Sequence, residues 1–99
     1  MTDNHTQEDT LMIQDIPLSE RIVPDALEQR EREICAGALA AFGVDNPVRP
    51  TAKNLNVFTW AQVLYALQRG RLLCSGDALD DVDDTIYAVR DARRAYASH

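Results

Sequence analysis

The sequence predicts a small all-α domain, an antiparallel bundle of about three helices behind an acidic, loosely held N-terminal arm. Three observations lead there. Apolar residues recur at spacings of three and four along two long segments, helix start and stop signals bracket them, and 99 residues with 45% apolar content suffice for one modest core. The expected organisation is an arm over residues 1–23, carrying a docked apolar segment, and a helical domain over residues 24–99.

The arm opens with Met1–Thr10, which holds nothing suited to a core. Its polar, acidic start lacks the basic and apolar regions of a secretory signal, so the expected compartment is the cytoplasm. Leu11–Ile16 returns to apolar side chains, and Pro17 and Pro24 bracket Leu18–Val23. Each proline biases its predecessor away from helix. The stretch is expected to be irregular and docked through Ile13, Ile16, Leu18, Ile22 and Val23.

The first helix is expected from Pro24 or Asp25 to Phe42, closed by Gly43. Leu27, Ile34, Ala38, Ala41 and Phe42 share one side, opposite Asp25, Glu28, Gln29, Arg32 and Glu33, with Glu28 and Arg32 as a supporting pair. Ala36–Ala41, with Gly37 inside it, leaves room for another helix to approach closely. Val44–Asn56, with its Asn-Pro and Arg-Pro steps, reads as a loop.

Thr59-Trp-Ala-Gln62 has the form of a capping box, flanked by Phe58 and Val63 as a hydrophobic staple. Trp60–Leu67 is apolar almost throughout, as in a central buried helix. Its end is open between Gly70 and Gly76. The last helix starts near Asp77, capped by Ser75 or Asp77, and runs to about Ala97. Leu79, Val82, Ile86, Val89 and Tyr96 form a seam interrupted by Arg93. Glu31, on the core-facing side of the first helix, is the expected partner of Arg93 if the first and last helices pack antiparallel; the alternative is that Arg93 lies past the edge of the bundle and reaches water.

Charge is distributed unevenly. Residues 1–34 carry nine acids and three bases, residues 45–74 one acid and four bases, and residues 75–99 six acids and three bases. Asp77, Asp80, Asp81, Asp84 and Asp91 fall within a narrow arc of the last helix, opposite its seam. Carboxylates there suit the positive helix end and a solvated face. They also suit docking onto a basic protein surface, including one that ordinarily handles nucleic acid. Arg49, Lys53, Arg69 and Arg71 make the middle positive, and with Trp60 and Tyr65 they form the alternative, a DNA or RNA footprint. Trp60 and Tyr65 are expected in the first place as core or subunit-interface residues.

Catalytic parts are missing from the pattern. The chain has no phosphate loop, nucleophile elbow or His-Glu-x-x-His motif, and its two histidines, His5 and His99, stand at the ends. Cys35 and Cys74 are widely separated and are expected as buried, reduced thiols, with neither a disulfide nor a zinc site. An EF-hand pattern is also lacking. The expectation is a non-enzymatic protein without cofactor or metal that binds a protein partner and modulates or inhibits it. Accessory and inhibitory proteins of phages and plasmids offer an analogy of composition only. A structural oligomer subunit is the third reading, and a homodimer is expected through the Ala/Gly-rich face of the first helix and the Tyr87 and Tyr96 flanks of the last. No run is long or apolar enough for a membrane.

Overall fold

A computed structural model describes residues 20–43 and 48–97. Residues 1–19 of the expected 1–23 arm, with Ile13, Ile16 and Leu18, lie outside the described residues, whereas Ile22 is buried and Val23 half-buried, as expected of the docked segment. Three α-helices are present, α1 (Gln29–Phe42), α2 (Trp60–Leu73) and α3 (Gly76–Ala97), with no strand among the described residues. Short 3-10 turns at Pro24–Ala26 and Leu55–Val57 precede α1 and α2.

The start of α1 differs from expectation. Pro24–Ala26 makes one 3-10 turn, after which Leu27 and Glu28 are extended, and the α-helix begins only at Gln29. Leu27 is buried, and the Glu31 carboxylate accepts from the Glu28 backbone N–H at 2.9 Å, so the chain restarts there with its own cap. Arg32 approaches Asp25 at 3.9 Å rather than forming the expected pair with Glu28. The buried line of α1 is Cys35, Ala36 and Leu39, while Ile34, Ala38 and Phe42 are half-buried and Ala41 is exposed. Gly37 is exposed with nothing within 4 Å of a Cβ placed on it, so no neighbour uses the small-residue stretch for close approach at that point.

That close approach occurs at Gly70. A Cβ there would lie 3.1 Å from the Phe42 ring. The helix runs through Gly70 to Leu73, because Gly70 faces the last residue of α1 and is a packing glycine rather than a stop. At the other end the capping box forms as expected. Thr59 Oγ1 accepts from the Gln62 N–H at 3.0 Å, and Gln62 Oε1 accepts from the Thr59 N–H at 2.9 Å. Trp60, Val63, Ala66, Leu67 and Gly70 are all buried, which makes α2 the central helix, whereas Tyr65 is exposed. Leu55, fully buried, anchors the connection that reads as loop in the sequence.

The segments leading into α1 and α2 are joined, with the Ile22 N–H donating to the Phe58 carbonyl at 3.0 Å beside an Arg21–Thr59 bridge. Their closing ends meet at Phe42 and Gly70. Likewise, Arg30 in the first turn of α1 pairs with Asp81 near the start of α3. The α1–α2 and α1–α3 junctions match like ends, whereas Arg71 near the end of α2 pairs with Asp83 near the start of α3, the start-beside-end arrangement expected of neighbouring helices. The 17 residues between α1 and α2 are long enough to carry the chain back to the same side.

On α3 the core line is Thr85, Ile86, Val89 and Ala92, with Leu79 and Val82 half-buried. The expected seam drifts by one residue at its C-terminal end. Ala92 takes the place assigned to Arg93, which is exposed, and Tyr96 is 40% exposed. Arg93 does not meet Glu31. It stands twelve residues beyond Asp81, about 18 Å along the helix, while Glu31 sits at the Asp81 end.

Candidate interaction surface

The five expected acidic residues do not form one uniform stripe. Asp77, Asp80, Asp84 and Asp91 are exposed, whereas Asp81 is half-buried and holds Arg30 of α1. The Asp81 carbonyl also accepts from the Thr85 hydroxyl at 2.7 Å, which satisfies that buried side chain. Asp81 therefore ties α3 to α1. Asp91 lies 3.7 Å from Arg94 one turn on, an exposed pair of little energetic weight. Asp77, Asp80 and Asp84 have no ion-pair partner among the described residues, so their charge is offered to solvent.

The positive middle is likewise divided. Arg71 binds Asp83 of α3 at 2.5 Å, and Arg69 lies over the Tyr65 ring with its guanidinium carbon 5.6 Å from the centroid. Arg69 also donates to the Tyr65 hydroxyl at 3.1 Å. Arg49 and Lys53 are exposed on a loop whose turn is held by Asn54, which accepts from the Thr51 N–H at 2.7 Å and donates to the Arg49 carbonyl at 2.8 Å. No described hydrogen bond or ion pair joins the loop bases to those of α2. Trp60 is core rather than surface, 1% exposed.

The cysteines are both free thiols. Cys35 is fully buried, and burial, with the Glu31 carboxylate one turn away, pushes its thiol up to about 12. It is a packed neutral group, the opposite of an activated nucleophile. Cys74, which ends α2, is half-buried. Among the described residues no group of three or more His, Cys, Asp or Glu side chains is placed to hold a metal ion, and no helix is long and apolar enough to cross a membrane.

One surface combines shape with exposed apolar area. Between α2 and α3 runs a groove of about 460 Å³ lined by Gln68, Arg71, Leu72, Asp83, Tyr87 and Arg90, with Ile86 beneath. Leu72 is 79% exposed and Tyr87 66%, and Leu73 beside them is 75% exposed. Leu72 was legible as an outward residue. On a helical wheel it falls about 180° from the centre of the buried Trp60, Val63, Ala66, Leu67 and Gly70. The Arg71–Asp83 pair was not, because it depends on how α2 and α3 are turned against one another.

Fold and surface together define a small three-helix domain with an acidic outer edge and a groove of mixed charged and apolar lining. Comparison with protein-family models, with curated proteins and with solved structures finds no match to this chain.

Proposed function

We propose that the protein is a non-enzymatic binding protein of the cytoplasm that docks a basic surface of a protein partner through the outer face of α3 and modulates or inhibits that partner by covering it. The observation that carries this reading is the set of uncompensated carboxylates. Among the described residues Asp77, Asp80 and Asp84 are exposed and without an ion-pair partner, while Asp81 and Asp83 are neutralised by Arg30 and Arg71. Asp91 extends the same edge. Placed on a rigid helix, these charges cost little ordering on binding and steer a cationic partner from a distance. Exposed Tyr87 beside them supplies an aromatic anchor of the kind that dominates interface energetics.

The test is capture of partners from the native host by the wild-type chain and by an Asp77→Asn/Asp84→Asn/Asp91→Asn variant. Asp81 is left intact because it anchors Arg30. Retention at low salt, loss at salt high enough to shorten the Debye length to about 3 Å, and loss in the variant are expected. Equal retention by both chains at both salt levels removes the acidic face from the function.

A further inference from the structure

Along the groove side of α3 stand Asp80, Asp83, Tyr87, Arg90 and Arg94, spaced three, four, three and four. That is the spacing of an a/d stripe, yet it is not the core stripe, which runs through Ile86 and Val89. Asp80, Tyr87, Arg90 and Arg94 are exposed, and Asp83 is half-buried. The order along the stripe is acid, acid, aromatic, base, base. Helix α3 as a whole repeats the segregation, with five aspartates before Tyr87 and, after it, three arginines and one aspartate.

Such an order is self-complementary when reversed. If a second copy of the helix runs antiparallel across the first with the two Tyr87 residues at the centre, Asp83 faces Arg90 of the other copy and Asp80 faces Arg94. The same two contacts recur on the far side of the axis, as an isologous interface requires. A parallel pairing would set like charges together. The helix dipole explains why acids precede bases. It does not explain an exposed tyrosine at the midpoint, or Leu72 and Leu73 beside it.

We infer that this stripe is a homodimer interface, with two α3 helices packed antiparallel about Tyr87 and Leu72 closing the edge of the contact. The stripe shares Asp80 and Tyr87 with the partner-docking face, while Asp77, Asp84 and Asp91 lie on the neighbouring line of the helix and remain outside it, so they separate the two readings. Helix α3 has 22 residues and is about 33 Å long. One face of a helix that long, about 10 Å wide, falls short of the roughly 800 Å² per partner of a standard interface. The dimer therefore forms in the micromolar range and weakens with salt.

Sedimentation equilibrium of the full chain, from a few micromolar to several hundred, tests it. The expected mass rises from 11.1 kDa toward twice that value. Asp80→Arg alone and Arg94→Asp alone each weaken association at least tenfold, and mixing the two variants restores it, because the mixed dimer sets Asp80→Arg against Arg94→Asp in one contact and keeps the native Asp80–Arg94 pair in the other. Both residues are exposed, so the fold survives, which circular dichroism verifies. Asp77→Arg, off the stripe, leaves the dimer unchanged. A monomer at every concentration overturns the inference, as does a dimer indifferent to both charge swaps or a mixture that fails to re-form. Partner capture in the earlier experiment reads the other line of carboxylates, so either reading can fail without the other.

Discussion

The Phe42 ring lies 3.1 Å from the point where Gly70 would carry a Cβ, and this contact locks the closing turn of α1 to α2. Three glycines should therefore respond differently to alanine. Gly37→Ala meets nothing within 4 Å and gains helix propensity, so it should stabilise the fold by up to about 1 kcal/mol. Gly70→Ala gains the same propensity but presses the half-buried Phe42 ring, and should be less stabilising than Gly37→Ala. Gly76, with φ at +61°, should lose about 1 kcal/mol as alanine. Urea denaturation of the three variants checks the order, and Gly70→Ala as the most stable of them would contradict the contact.

The Thr59 cap is a second measurable element. Thr59→Ala removes the acceptor for the Gln62 N–H at the start of the central helix and should cost about 1 kcal/mol. Thr59→Ser should retain most of it. Thermal melts of the two variants distinguish capping from loss of the threonine methyl.

Cys35 makes a prediction in pH. Its thiol, normally near 9.0, is raised to about 12 in the fold by burial and then by Glu31. The folded state thus keeps a proton that the unfolded state releases above about pH 9. The stability it contributes is complete below that pH and lost as pH rises through the folded value, at most ~1.4 kcal/mol per pH unit. Cys35→Ala should show a shallower fall in stability between pH 9 and 11 than wild type. A thiol reagent at neutral pH should label half-buried Cys74 first and Cys35 only in denaturant.

Two ion-pair cycles separate a real contact from an expected one. Arg71 and Asp83 should couple by up to about 1 kcal/mol, less at high salt, since their side chains are 50% and 30% exposed. Glu31→Gln and Arg93→Met should be additive within ~0.5 kcal/mol, because the Glu31 end of α1 lies beside Asp81 and Arg93 is far along α3. Coupling in the second cycle would mean that α1 and α3 pack in the opposite sense.

By itself the sequence determined the three helices, the capping box at Thr59 and Gln62, the central burial of α2 and the acidic outer edge of α3. These depend on spacings within one segment, where the helix period alone decides which side chains are neighbours. Tertiary structure decided the rest. It chose Gly70 over Gly37 for close approach, set Ala92 rather than Arg93 in the seam, and neutralised Asp81 and Asp83 with Arg30 and Arg71. Each of those outcomes depends on the rotation and direction of one helix against another. A rotation of one residue, about 100°, exchanges a buried position for an exposed one without changing any local pattern.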